Sequence, residues 1–402
     1  MRLCLGMEER FWETADGKVW SAGPCTYSFL QRYLCAYDEL RVIARVGQIP
    51  EPMPGWKRCD GEGVSFAPVP FYIGPWQYAR RMHSVGRAAR QAFGPEDSLV
   101  IRVVAQIATA LEPKLRAGRP YGLEVVGDPH EVFAPGATQG LMRPVWRWWF
   151  TRRQRRACAR ASAICYVTEG YLQKHYPPNS SAFCATFSNL QLGEESFVGM
   201  PRIFEPLPRP VRIITVGALA QPYKGVDVLL DAVTACTQRG CNLELIVVGG
   251  GRYLTGLQQH ATARGIADRV TFLGEVPAGQ AVRDQLDNAH VFVLASRTEG
   301  KPRAMIEAMA RGLPCIGSDA GGIPELLPPD CIVPRGDATA LAEKIAAIYG
   351  DQDRLAYMSA SNLTRARDYH DSVLDIRREA FLRHVRSRTE EWLRGRKLAS
   401  AN

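Results

Sequence analysis

SRTEGKPRAMIEAMARGLPCIGSDAGGIPEL, residues 296–326, is the stretch whose reading decides the fold. The run before it, VFVLAS (291–296), is apolar and β-branched and predicts a buried strand ending near Ser296. Pro302 suits the first turn of a helix, where its missing N–H is no loss. Ala304, Met305, Ile306, Ala308, Met309 and Ala310 continue that helix. Glu299 therefore falls on a strand-to-helix loop and Glu307 on the helix, eight positions apart. A loop opening onto a helix N-terminus is a natural anion site, because free N–H groups and the helix dipole face the ligand. Carboxylates beside it, accepting from sugar or ribose hydroxyls, would complete a nucleotide-sugar pocket.

This segment resembles the E-x7-E signature of retaining glycosyltransferases of the GT-B fold, family 4 or "group 1". The resemblance runs along the whole of EGKPRAMIEAMARGLPCIGSDAGGIPELL, with glycines, prolines and glutamates in register. It implies two Rossmann-like parallel-sheet domains facing a central cleft. Glu299 would bind donor-sugar hydroxyls and Glu307 the ribose. Main-chain N–H groups around Gly300–Arg303, the segment that carries Lys301 and Pro302, would hold the diphosphate. It also implies a retaining, metal-independent hexosyl transfer, with the nucleotide-sugar as substrate and no cofactor.

Outside this stretch the chain alternates strand and helix signals in two series, which predicts parallel sheets with helices on both faces. RLCLGM, LRVIARV, SLVIRVVA, YGLEVVGD and SAICYVT form the first series of strands. VRIITVG, LELIVVGG, RVTFLGEV, HVFVLAS, PCIGSD and CIVP form the second. Between them PLPRP (206–210) is a hinge candidate. The expected units are an acceptor-side domain (1–205), a donor-binding domain (206–368) and a charged helical tail (369–402). By the resemblance, that tail crosses back onto the first domain. With 402 residues, 46% hydrophobic and 23% charged, the chain has the length and composition for two globular domains. No apolar run reaches the roughly 18 residues of a membrane span, and MRLCLGMEERFWE does not read as a signal peptide. The 11 cysteines include no C-x-x-C pair, which favours a reducing compartment over a disulfide framework or a zinc site. The seven histidines form no metal-spaced pair.

In VGALAQPYKGVDVLLDAV (216–233) a strand ends at Gly217, and Lys224-Gly225 opens a helix. A cation is needed here, because breaking a sugar–diphosphate bond builds charge on the leaving phosphate. Lys224 matches the family's lysine. The usual arginine is replaced by Ala218 and Leu219, so Arg303 or Lys301 is the nearest substitute. VVGGGRY (247–253) resembles the family's glycine turn near the donor, with Gly250 at its centre. The absence of G-x-G-x-x-G with a downstream acid argues against a dinucleotide oxidoreductase. In PYGLEVVGDPHEVF (120–133), Asp128 is the first choice and His130 the second for the group facing the reacting sugar; a helix cap explains Asp128 equally well. The family's early glycine pair is not evident, and Gly17 or Gly23 stands in.

MRPVWRWWFTRRQRRACARA (142–161) has seven arginines and no acid, in a chain of net charge +9. Basic and aromatic residues interleaved on a helix predict contact with an anionic membrane through Trp146, Arg147, Trp148, Trp149, Arg152, Arg153, Arg155 and Arg156. The alternative is an aromatic core with solvated arginines. No nucleic-acid motif accompanies the segment. The expected protein is a cytoplasmic enzyme, peripheral on the inner membrane face. It would move a sugar to a hydroxyl acceptor, one class being lipid-linked, in bacterial polysaccharide or glycolipid assembly. A nucleotide-sugar epimerase of the same fold and a non-catalytic sugar-nucleotide-binding subunit are the alternatives.

Overall fold

The computed structural model describes residues 1–103, 106–115, 118–134, 142–204 and 209–401. Pro206, Leu207 and Pro208 of the hinge candidate, and the expected boundary at 205/206, lie outside the described residues.

The first sheet has nine strands: β1 (Arg2–Glu13), β2 (Val19–Ser21), β3 (Glu39–Gln48), β4 (Lys57–Arg58), β5 (Val64–Val69), β6 (Ser98–Val103), β7 (Gly122–Val125), β8 (Ala163–Tyr166) and β9 (Phe183–Thr186). Its parallel core runs β5-β3-β1-β6-β7-β8-β9. The β1 signal seen in RLCLGM continues to Glu13, through a register irregularity between Gly6 and Arg10. It then returns as an antiparallel hairpin with β2, which in turn pairs β4. Sequence reading missed β2, β4, β5 and β9 because they are short or lie at the sheet's edges, where alternation is weak.

The second sheet has six parallel strands: β10 (Val211–Val216), β11 (Leu243–Val248), β12 (Val270–Gly274), β13 (Val291–Leu294), β14 (Cys315–Ser318) and β15 (Ile332–Val333). Their order is β12-β11-β10-β13-β14-β15. β13 is buried along its whole length, as a continuous apolar run requires of a strand covered on both faces. The order reverses between β10 and β13, so the loops after these two strands flank the crevice where open α/β sheets bind ligands.

The helix Asp371–Ala401 packs on β6, β8 and β9 of the first sheet. Phe381, Leu382 and Val385 are fully buried there. A Cβ at Gly122 would stand 2.7 Å from Val385, so β7 meets this helix at contact distance. None of the eleven cysteines is in a disulfide. No helix among the described residues is long and apolar enough to cross a membrane.

Candidate donor-binding site

Four loops at the carboxyl ends of second-sheet strands come together. The loop after β10 is tied to the glycine turn after β11: Gly217 N–H donates to Val248 O at 2.9 Å and Leu219 N–H to Gly250 O at 2.8 Å. A 3-10 turn, Pro222–Lys224, follows. Gly225 then enters the Val226–Gln238 helix with φ 64°. A Cβ there would lie 2.0 Å from Ala295 O at the end of β13, so only glycine lets the two loops close. Arg297 reinforces the junction, donating to Pro222 O (2.9 Å) and forking onto Asp227 (2.8 and 2.7 Å).

The product of this packing is an ion pair. Lys224 Nζ lies 2.6 Å from Glu299 Oε1, with both side chains largely buried. Ser296 Oγ donates to the same oxygen at 2.7 Å. The Lys224 stem packs against Gly217, where a Cβ would be 2.8 Å from its Cε. Pro302 is the N-cap of the Arg303–Ala310 helix rather than part of its first turn. Gly321 and Gly322 hold the Glu299–Gly300 loop from behind, and Gly322 N–H donates to Gly300 O at 2.9 Å. Glu307 is mostly buried, and its carboxylate has no hydrogen-bond partner among the described residues. Burial, opposed by Arg303 and Arg283, pushes its carboxyl above the ordinary range. A buried acceptor without a protein donor suits a ligand hydroxyl.

The structure brings Lys224, Glu299, Gly217, Gly250, Gly300, Pro302, Arg303 and Glu307 to one end of this sheet. It does not bring Lys301 there. Its side chain is 1% exposed and pairs with Glu325 at 2.9 Å. It also donates to Tyr369 Oη at 2.9 Å. Lys301 is therefore corrected from a phosphate-binding candidate to a structural cation, because a buried ammonium needs its carboxylate. Glu325 also accepts from the N–H groups of Glu169 (2.7 Å), Gly170 (2.8 Å) and Tyr171 (2.7 Å), just after β8. Against desolvation, Lys301 and these N–H groups hold its carboxyl below the usual range. The contact spans the two sheets. Arg335–Glu131 at 2.8 Å and Arg365–Glu169 at 2.7 Å add to it.

Arg303 is exposed at the start of its helix, and its charge acts on both Glu307 and Cys25 of the first unit. Gly23 lies two residues before that cysteine, and its N–H donates to Ser21 Oγ at 2.9 Å. Gly17 is elsewhere, in the β1–β2 turn with φ 77°. Arg252 is pinned on the post-β10 loop by Ala220 O and Gln221 Oε1, each 2.9 Å away.

Asp128 also requires correction. Its buried carboxylate caps the Pro129–Val132 turn through His130 N–H at 2.8 Å. It further accepts from the Tyr176 hydroxyl, Tyr171 Oη (3.1 Å) and His175 Nδ1 (3.0 Å). Both oxygens are occupied, so the cap reading holds and Asp128 is not available to a sugar. His130 is half-exposed beside Glu131, which reaches Arg335 of the second unit. Arg147 donates to His130 O (2.8 Å) and meets its Nδ1 at 3.0 Å.

That contact corrects the role of Arg147, which tethers the Pro129–Val132 turn. Arg155, eight residues on and so on the same helix face, donates to His175 O at 3.0 Å. Trp146 and Trp149 are half-buried in an aromatic cluster with Phe150 and Phe133. Arg153 lies over Trp149, 4.9 Å from its ring. The outward stripe of the Arg143–Cys158 helix is Val145, Trp148, Arg152 and Arg156; Trp148 is 62% exposed. Arg297, Asp227, Ser296 and Glu325 were not singled out from sequence. Their only signal was adjacency to the quoted motifs. Among the described residues, no group of three or more His, Cys, Asp or Glu is arranged to hold a metal.

Two parallel-sheet units, with the loops that follow the second sheet's strands gathered at their junction, define the GT-B fold. Residues 210–351 match the family model "Glycosyl transferases group 1". The chain is 26% identical over 300 residues to Protein CapJ of Staphylococcus aureus, covering 74% of each. It is 29% identical over 216 residues to the GDP-mannose-dependent alpha-(1-6)-phosphatidylinositol monomannoside mannosyltransferase of Mycobacterium tuberculosis, covering 50% of each. In fold it is similar to Anabaena HepE, crystallised with UDP and glucose: TM-score 0.65, 17% identity, 94% of this chain and 98% of that one. The likeness to the group 1 glycosyltransferases is carried by the second unit, residues 210–351.

Proposed function

We propose that the chain transfers a hexose from a nucleoside-diphosphate sugar to a hydroxyl acceptor with retention of anomeric configuration and without a bound metal. The carrying observation is the largely buried Lys224–Glu299 pair, 2.6 Å apart, where the four loops converge. In this reading Lys224 and the N–H groups of Gly300–Arg303 hold the diphosphate. Glu299 accepts from the sugar and Glu307 from the ribose. With Lys301 committed to Glu325, Arg303 is the cation that takes the place of the missing arginine. Arg147 beside His130 Nδ1 leaves the His130 proton on Nε2, free to donate toward the cleft. The named relatives support the donor class: one is GDP-mannose-dependent, and a structural neighbour was crystallised with UDP and glucose.

The test is a donor screen. UDP-, GDP- and ADP-sugars are titrated for thermal stabilisation, then for hydrolysis or transfer, with and without EDTA. Turnover that requires an added hydroxyl acceptor excludes the epimerase alternative. Stabilisation without turnover on any acceptor would favour a binding subunit. Glu307→Gln keeps the volume and should weaken donor binding by about 1.5–3 kcal/mol, the range for a hydrogen bond to a charged group. Ionised Glu307 is the acceptor, so wild-type donor affinity should fall as pH drops through its raised pKa. The variant should lose that pH dependence. Equal calorimetric affinities in a folded Glu307→Gln protein would remove Glu307 from the site.

The membrane reading narrows to the outward stripe of Val145, Trp148, Arg152 and Arg156. Anionic liposomes should sediment the protein at low salt and release it as salt rises. Each basic residue near the surface contributes about 1 kcal/mol. Arg152→Gln with Arg156→Gln and Trp148→Ser should abolish sedimentation with donor binding intact. Sedimentation that survives in this variant would exclude the stripe. The peripheral, inner-face location rests on this contact.

A further inference from the structure

A cavity of about 1290 Å³ lies on the first sheet, and Trp148, Arg152 and Arg156 of the outward stripe are among its lining. Its floor is apolar: Ile101 and Val103 of β6 and Leu123 of β7. One wall is the Arg143–Cys158 helix, which contributes Trp149, Phe150, Arg153 and Gln154, with Arg156 and Arg160 toward and beyond its end. The far end is closed by Arg119, Ser162 and Arg388, the last from the Asp371–Ala401 helix. Ser162 N–H donates to Tyr121 O at 3.1 Å, which sets the Arg119 and Arg160 segments side by side. The cavity thus combines aromatic and aliphatic surface with guanidinium groups, some of them lying over its tryptophan rings. No acidic residue is among its described lining.

Two buried polar groups in it are unsatisfied. Arg119 is 7% exposed, and its Nε has no partner among the described residues. Its guanidinium lies 3.9 Å from the centre of the Phe93 ring and donates to Asp97 O through Nη2. Gln154 is 3% exposed; its Nε2 donates to Gly127 O at 3.0 Å, while Oε1 has no partner. Arg388 is salt-bridged to Glu391 at 2.6 Å, so the argument rests chiefly on Arg119 and Arg156. The volume exceeds the roughly 300–1,000 Å³ of ordinary small-ligand pockets, which leaves room for a hydrocarbon chain as well as a headgroup.

We propose that this cavity binds one phosphate-bearing lipid. Its chain lies over Ile101, Val103 and Leu123 beside Trp149, and its phosphate sits among Arg119, Arg156 and Arg160. The site shares Trp148, Arg152 and Arg156 with the outward stripe but holds a single lipid molecule rather than a membrane surface, so a monomeric lipid separates the two readings. It does not depend on the donor assignment.

The experiment uses the full chain and monomeric dihexanoyl phosphatidic acid below its aggregation threshold. Tryptophan fluorescence and calorimetry report binding. Glycerol 3-phosphate and dihexanoyl phosphatidylcholine are the comparison ligands. Saturable one-to-one binding is expected, with both comparison ligands weaker by about 100-fold, since glycerol 3-phosphate lacks the buried chains and the phosphatidylcholine lacks the phosphomonoester charge that the arginines recognise. Arg156→Gln with Arg160→Gln should weaken binding about tenfold or more while melting temperature and nucleotide binding stay at wild-type values. Ile101→Asn, which makes the floor polar, should weaken the lipid but not glycerol 3-phosphate. Glycerol 3-phosphate binding as tightly as the lipid would overturn the proposal in favour of a bare anion pocket. Equal affinity for the phosphatidylcholine, no saturable binding, or an unaffected double variant would overturn it as well. Nucleotide binding on the same samples separates this outcome from failure of the transferase reading.

Discussion

Lys224→Ala is expected to lower kcat/KM for transfer by about 100-fold to 1,000-fold, the usual cost of removing one group aimed at charge that develops in a transition state. Ground-state binding of the nucleotide-sugar should weaken less, because phosphate charge grows as the sugar departs. Two effects add in this variant. The phosphate loses its cation, and Glu299, itself largely buried, loses the ammonium 2.6 Å away. Breaking a buried pair from one side costs about 3–5 kcal/mol when the remaining charge cannot relax. Ser296 Oγ still donates to Glu299, so the lower end applies. Comparing Lys224→Ala, Glu299→Gln and the double variant separates the effects. If Lys224 only positions Glu299, the double variant should be no worse than Glu299→Gln. If it also meets phosphate, the double variant should be slower. Near wild-type turnover in Lys224→Ala would show that another cation serves the leaving group.

Gly321→Ala should cost nearly as much without touching a charged group. The residue sits at φ 52°, and an added Cβ would lie 1.8 Å from Glu299 O, a backbone atom with nowhere to go. A non-glycine residue in this region costs about 1–3 kcal/mol before any clash. The loop carrying Glu299 and Gly300 must then shift, and catalytic geometry tolerates little displacement. Stabilisation by the donor should disappear, and the melting temperature should fall by several degrees, at about 2–4 °C per kcal/mol for a domain of this size. Gly336→Ala is the control: its φ is 80°, but nothing lies within 4 Å of the added methyl. It should show the strain alone and keep donor binding. If both variants lose binding equally, loop displacement is not the cause.

The two sheets were legible because their central strands, such as β6, β7, β13 and β14, are buried on both faces and so read as continuous apolar runs. All six strands of the second series appear where VRIITVG, LELIVVGG, RVTFLGEV, HVFVLAS, PCIGSD and CIVP predict them. Short elements such as β2 and β4 were not legible, since two or three residues are too few to carry a period. The loops of the candidate site were legible because their signals are local: a glycine after a strand, a lysine before a helix, one glutamate on a loop and another eight positions on in the following helix. The same spacing misassigned Lys301. Its neighbours in sequence face the donor, but its partner Glu325 lies 24 residues on, and Tyr369 lies 68 on.

Sequence alone determined the two-sheet α/β architecture and the places of Glu299 on a loop, Glu307 on the helix after it and Lys224 before another helix, because strand burial and helix-terminus signals are written within a dozen residues. Only the tertiary structure decided which charges are spent internally. Asp128 is consumed by two tyrosines and a histidine more than 40 positions away. Arg147 and Arg155 tether backbone from their own helix, while Arg152 and Arg156 face out. A charge's role depends on what lies within a few ångströms of it. For these residues that neighbourhood is set by how the sheets and helices pack, over sequence distances that no local pattern spans.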